Sequence, residues 1–298
     1  MKKSFRTDLA SEQFPDPSSL PRGVSLRVDV SRSGFRIERH TVSPNADTDR
    51  PSGEYVTLYC GAVWELDEAP FSDLVHDLAA ELRSSAERLT EKAVSPDLSV
   101  LVVGLGNAEM TPDALGPDSV SRLNVTRHLC SAAPELFERL DCCLLSAIAP
   151  GVLGKTGIET LTLVRAAVDA VNPDLVIAID ALAAQSLDRL ASTVQLGDGG
   201  IRPGSGVLNR RAALDRDSLG VPVLALGAPT VVDSSTLVAD ALLQSGQTEI
   251  SPELEAVLET GRSYFVAPKE ADAVNDSLCR LFSEALNLAF GISLTYLS

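Results

Sequence analysis

The sequence predicts an α/β fold, a three-layer α/β/α sandwich with a mostly parallel sheet plus an N-terminal hairpin-and-helix elaboration. Three observations lead there. Apolar runs rich in β-branched residues recur at Leu98 to Val103, Leu175 to Ile179 and Val221 to Leu226. Nearly continuous apolar strands of this kind belong to parallel sheets covered on both faces. Stretches of helical character, roughly 117–130, 157–171, 182–191 and 234–244, separate the runs, as strand-helix alternation requires. Ahead of residue 96 the pattern changes: Gly23 to Thr41 alternates apolar and polar residues around Ser-Arg-Ser-Gly, a hairpin signal.

Taken in order, residues 1–22 hold charges, serines and three prolines (Pro15, Pro17, Pro21) and read as a mobile arm. Residues 23–95 form the elaboration: the hairpin, a polar loop from Ser43 to Gly53, a strand near Tyr55 to Val63, and a helix over Phe71 to Leu89. The apolar residues of that helix recur three and four apart, which puts them on one face. Residues 96–298 form the α/β core. Thr156-Gly-Ile-Glu159 reads as a capping box for the 157–171 helix. The last helix is expected near Lys269 to Ala289. The apolar stretch Leu278 to Leu297 carries Arg280, Glu284 and Asn287, so it reads as a packed helix and strand and not a membrane span.

Composition narrows the function classes. The 298 residues carry 41 acidic and 25 basic side chains, a formal charge of −16. Such a chain is a poor partner for nucleic-acid backbones or anionic membranes. Cys60, Cys130, Cys142, Cys143 and Cys279 form no CxxC pattern and read as buried, reduced thiols of a cytoplasmic protein. Met-Lys-Lys-Ser-Phe-Arg lacks the apolar core of a secretory signal.

Several familiar chemistries fail. After Gly104-Leu-Gly106 the third glycine of a dinucleotide fingerprint is replaced by Glu109. Gly154-Lys-Thr156 lacks the glycine a phosphate loop needs at Ala149. Gly204-Ser-Gly206 is too short for a nucleophile elbow. His40, His76 and His128 have no metal-ligand spacing, so neither a histidine zinc site nor a serine triad is supported.

Two aspartates stand where open parallel sheets bind ligands, beyond the carboxyl ends of strands. Asp180 ends the run Val176-Ile-Ala-Ile179, and Asp113 lies nine residues past Gly104 in Thr111-Pro-Asp-Ala-Leu-Gly-Pro117. Each has a structural explanation. Thr111 can be an N-cap with Pro112 at the first helical position and Asp113 facing the dipole, and Asp180 can cap a helix Ala181-Leu-Ala-Ala184. As a pair they suggest more, because two close carboxylates resist double ionisation and supply one acid and one base for water attack.

A set of segments resembles the germination protease (spore protease) family. They are Val103-Gly-Leu-Gly-Asn107, Thr111 to Pro117, Thr126-Arg-His-Leu129, Ser146-Ala-Ile-Ala-Pro-Gly151, Val176 to Ala184, Pro203-Gly-Ser-Gly206, Gly227-Ala-Pro-Thr-Val-Val-Asp233 and Ala267-Pro-Lys-Glu270, in order over about residues 98–290. The resemblance implies an endopeptidase of the spore core that degrades small acid-soluble spore proteins during germination, with no cofactor. It implies a homotetramer made as a zymogen and activated by loss of a short propeptide, about residues 1–8. Its essential aspartates fall on Asp113 and Asp180. The family cuts after an acidic residue within a motif like Thr-Glu-Phe-Ala-Ser-Glu, and Thr7-Asp-Leu-Ala-Ser-Glu12 has that character. Self-cleavage is therefore expected between Asp8 and Leu9. Two departures stand out: Arg202 takes the place of a histidine common among relatives, and the segment from Asp240 to Phe265 is short.

Gly104-Leu-Gly-Asn and Ile179-Asp-Ala also resemble the hydrogenase maturation proteases, whose phosphorylase/hydrolase-like fold the family is expected to share. There the matching acidic positions bind a client's metal. A metal-dependent peptidase, with Asp198 or Asp233 as further ligands, is one alternative; an inert scaffold with both aspartates as caps is the other.

Overall fold

The computed structural model describes residues 7–202, 212–246 and 264–291, together with 251, 253, 254 and 257. Residues 1–6 of the arm, the Pro203-Gly-Ser-Gly206 segment and the strand expected after the last helix lie outside the described residues.

The strands are β1 (Val24–Val30), β2 (Arg36–Val42), β3 (Gly53–Tyr59), β4 (Ser99–Gly104), β5 (Leu144–Ile148), β6 (Leu175–Ala184), β7 (Thr193–Gly197), β8 (Val223–Asp233) and β9 (Phe265–Val266). They form one sheet in the order β1-β2-β3-β7-β8-β6-β4-β5, with β9 paired to β8. The half built from β5, β4, β6 and β8 is parallel. Across β7, β3, β2 and β1 every pairing is antiparallel. The N-terminal hairpin thus extends the core sheet. Its outer strand β1 holds no buried residue, whereas all six residues of β4 are buried.

Three layers follow from the alternation of side chains along each strand. One face presents Ile37, Leu58, Val100, Val102, Ile177, Ile179, Leu224 and Leu226 to the long helices Glu68–Thr90 and Ala271–Phe290. On the other face Leu101, Val103, Val176 and Ala178 meet Val164 and Val168 of the helix Thr160–Val171. That helix covers only the parallel half. Over the antiparallel half the layer is completed by residues 9–24, through Leu9, Ala10, Phe14, Leu20 and Val24.

Local expectations shift in four places. The helix expected over 182–191 is strand to Ala184 and then a single 3-10 turn, Leu187–Arg189. The expected 117–130 helix is two, Leu115–Ser121 and Arg127–Ala132. No capping box forms at Thr156, because a short helix Leu153–Thr156 ends there and the next helix is preceded by Glu159 without a side-chain cap. Among the cysteines, four are buried and Cys130 is exposed. No described helix is long and apolar enough to cross a membrane.

Candidate active site

The loop after β4 is shaped by its glycines. Leu105 N–H continues the ladder by donating to Ile179 O at 2.8 Å. Gly106 then turns at φ +113°, and a Cβ there would fall on the Asp113 carbonyl oxygen. Asn107 N–H donates to both the carbonyl (3.0 Å) and the carboxylate Oδ2 (2.9 Å) of Asp113. Asp113 closes a 3-10 turn, Thr111–Asp113, so Thr111 is its first residue and not a cap; Met110 holds the cap position without a side-chain bond. The hydroxyl of Thr111 donates to Asp272, and that of Thr230 on β8 donates to Pro112 O at 2.6 Å. These bonds pin the Asp113 turn against the ends of β4 and β8.

Asp180 is 6% exposed and sits inside β6, which runs four residues beyond it. The expected cap of a helix at Ala181 is therefore replaced by extended chain. The cause is pairing with β8, which continues past a register shift at Leu182/Ala183. Asp180 Oδ1 accepts from Ala181 N–H at 3.0 Å. Both aspartates stand where β4 and β6 run side by side: Leu105 N–H bonds to the residue before Asp180, and Gly106, beside which the Asp113 carboxylate lies, follows it.

Strand register places a polar row across the same face. Glu38 opposes Thr57, Thr57 opposes Gln195, Gln195 opposes Gly227 and Gly227 opposes Asp180. Gly227 lies between Gln195 and Asp180, two strands or about 9–10 Å apart, and the Leu182 side chain fills the space its missing Cβ leaves. Sequence reasoning did not find Gln195. Its only signal is a lone amide within the run Thr193-Val-Gln-Leu-Gly197, all five residues of which are buried.

From Thr7 onward the arm is packed against the sheet. Leu9 is fully buried against Leu182, Ala184 and Val232, and Ala10 and Phe14 pack on Val42 and Tyr55. Asp8 N–H donates to Ala183 O at 2.9 Å, while Ala183 N–H donates to the Asp8 carboxylate at 2.8 Å. Gln185 and Ser186 N–H donate to the two oxygens of Glu12 at 2.7 and 2.8 Å. The segment's acidic groups thus take up backbone donors at the end of β6, and three anchoring apolar side chains suffice to seat it. Asp8 and Leu9, the residues flanking the expected cut, lie on this docked stretch.

Beneath it lies His40, fully buried, whose Nε2 is 3.4 Å from Phe14 O and whose Nδ1 has no partner. Burial lowers its pKa, chiefly by desolvation; the Phe14 carbonyl and Glu38 oppose that shift and Arg50 adds to it. A histidine with a depressed folded value favours the seated state fully above its free value of about 6.5, and that contribution is lost as the pH falls below it. Protection factors of the Gln13 and Phe14 amides, with the intrinsic pH dependence of exchange divided out, should accordingly be lower at pH 5 than at pH 8, and His40→Gln should flatten the difference. Equal protection in the wild-type protein at the two pH values would remove His40 from the seating.

A groove of about 1160 Å³ runs alongside, lined by Asp8, Arg50, Leu182, Gln195, Arg202 and Gly227 among others. Arg50 stacks over Tyr55 at 4.7 Å, and burial pushes the Tyr55 hydroxyl up to about 12. The two carboxylates considered as extra metal ligands have structural partners. Asp198 pairs with Arg88 at 2.6 Å, and Asp233 Oδ1 accepts from Thr236 N–H at 2.9 Å. Asp233 Oδ2 is buried without a partner. Among the described residues, no group of three or more His, Cys, Asp or Glu side chains is disposed to hold a metal ion.

Comparison with known proteins gives a consistent result. A family model described as germination protease matches residues 7–244. The chain is 39% identical to the germination protease of Caldanaerobacter subterraneus subsp. tengcongensis, over 98% of this chain and 95% of that one. It is 42% identical to that of Bacillus subtilis, over 74% of this chain and 56% of the relative. The Priestia megaterium germination protease is 40% identical over 79% of this chain and 63% of its own length.

Proposed function

The chain belongs to the germination protease family, a family of peptide-bond hydrolases, and from that membership we propose that it initiates degradation of small acid-soluble spore proteins in the germinating spore core. In this reading it is a homotetrameric zymogen that removes its own first eight residues by cutting between Asp8 and Leu9. Asp113 and Asp180 form an aspartic-type pair. Standing where β4 and β6 run side by side, the two share a proton, and their titration belongs to the pair. The ionised member takes a proton from water as its oxygen attacks the carbonyl carbon, and the protonated member delivers one to the departing amine. The bonds from Asn107 N–H and Ala181 N–H orient the two carboxyl groups.

One observation carries the proposal: the six-residue motif Thr7 to Glu12 is docked at the end of β6, three residues beyond Asp180. A protein holding a copy of the family's cleavage motif at its own candidate site is arranged as a self-substrate. The intact mass of purified protein, followed after a shift to mildly acidic pH with and without chelator, tests this. Loss of Met1 to Asp8 that ignores chelator is the expected result. Loss blocked by chelator would move the protein to a metal-dependent mechanism, and an unchanged mass would end the self-cleavage reading.

A further inference from the structure

The carbonyl of Asp8 is held unlike its neighbours. The Leu9 and Ala10 carbonyls accept from the backbone N–H groups of Gln13 and Phe14, as a helical turn demands. The Asp8 carbonyl accepts instead from two side chains, Arg50 Nη2 at 2.9 Å and Gln195 Nε2 at 3.0 Å. Gln195 grips the segment twice, since its Oε1 also accepts from Ala10 N–H at 2.7 Å. One amide thereby reads the backbone on both sides of Leu9, whatever the side chains. Both donors are themselves positioned. Gln195 is fixed by its place in the middle of the sheet, and Arg50 by Nε bonded to Gln13 at 2.6 Å and by its stack on Tyr55.

We propose that Gln195 and Arg50 are further catalytic residues, binding the carbonyl oxygen of the bond to be cut and stabilising the negative charge that develops there. The inference rests on the reading above that the Asp8–Leu9 bond is cleaved. Water oxygen bonds to the Asp8 carbonyl carbon, and the π pair moves onto the oxygen held by the two donors. The carbon–nitrogen bond to Leu9 then breaks, with the leaving nitrogen taking the proton of the acidic aspartate. Donors preset at hydrogen-bond distance stabilise such an oxyanion without reorganising. A guanidinium contributes a full charge and an amide a dipole, so the pair suits a carbonyl whose neighbour, the Asp8 side chain, is itself anionic.

The same contacts generalise to a substrate in trans. An extended peptide would present an acid to Ala183 N–H, an apolar side chain to the Leu182, Ala184 and Val232 niche, a small residue over Gln195, and a second acid to Gln185 and Ser186 N–H. The three N–H donors belong to the backbone at the end of β6 and the Gln195 acceptor to β7, so specificity resides in the rigid part of the molecule.

Self-cleavage is a single intramolecular turnover, so its rate constant isolates chemistry from encounter. It is measured by intact mass on full-length wild type, Gln195→Glu, Arg50→Ala and Arg50→Lys, with amide exchange at Gln13 and Phe14 reporting whether the segment stays docked. Gln195→Glu keeps an acceptor for Ala10 N–H and sets a carboxylate oxygen, which cannot donate, against Asp8 O, so the docking readout is read beside the rate. The expected result is a rate lowered about 10²-fold or more with docking retained, and partial recovery in Arg50→Lys relative to Arg50→Ala. Rates within about threefold of wild type in a docked variant overturn the inference, as does a rate that falls only in step with undocking. Should Gln195→Glu fail to fold, the Arg50 pair carries the same test. A folded wild type that never cuts itself overturns the reading on which the inference rests, and that failure is visible before any variant is compared.

Discussion

Asp180→Asn is expected to slow peptide-bond cleavage by at least about 10³-fold while the protein remains folded, the scale at which loss of a general acid or base is felt. Asp180 accepts from Ala181 N–H through Oδ1, and an asparagine oxygen in the same place accepts that bond equally well. Asp113→Asn preserves the acceptor for Asn107 N–H by the same logic. Thermal midpoints should therefore stay within a few degrees of wild type, so lost activity reads as lost chemistry. The two changes should not multiply, because partners in one proton-sharing unit fail together and the double variant is little worse than either single one. Rates by intact mass, set beside melting curves, decide it. Either variant cutting at the wild-type rate would return that aspartate to a structural role, and with it the two-carboxylate mechanism.

Gly116→Ala should produce a large stability loss for a single added methyl group. A Cβ at Gly116 would stand 2.5 Å from Leu105 N and 2.7 Å from Ile179 O. These are main-chain atoms of the very ladder that carries β4 past Asp180, and they have no rotamer to turn to. Overpacking that side chains can absorb costs about 1–3 kcal/mol; with backbone on both sides the expected loss is at the upper end, about 3 kcal/mol. The helix bearing Gly116 would back away and take the Asp113 turn with it, so activity should fall together with the urea midpoint. A variant as stable as wild type would mean that the close approach is not maintained in solution.

Much of this fold is legible from the residues because burial on both faces leaves a mark. The runs at Leu98 and Leu175 contain almost nothing polar, and they are the two central parallel strands. Asp180 was recognisable at its strand end for a sound reason, yet its local setting was not. Ala181-Leu-Ala-Ala184 has helix propensity, but each of its four residues pairs with β8 and that pairing overrides it, a tertiary choice no local window contains. The arm was misread for the opposite cause. Its charges and prolines are those of a disordered tail, and what seats it is a set of backbone donors on β6 that only the folded sheet presents. Gln195 and Arg50 were invisible because each acquires meaning only from Asp8, and the three are brought together by sheet order, not by spacing.

Leu9 is wholly enclosed, and its N–H donates at 3.0 Å to the hydroxyl of Thr7, on the far side of the bond proposed to be cut. Hydrolysis would turn that neutral amide into an ammonium group and release both Thr7 and the Asp8 carboxylate that ties the segment to Ala183 N–H. The new chain end would keep its apolar side chains but lose the bonds that hold its first residue, and the seat could not be taken again in the same way. Cutting would work as a ratchet: the latch is discarded in the act of opening, and no pH change closes it afterwards.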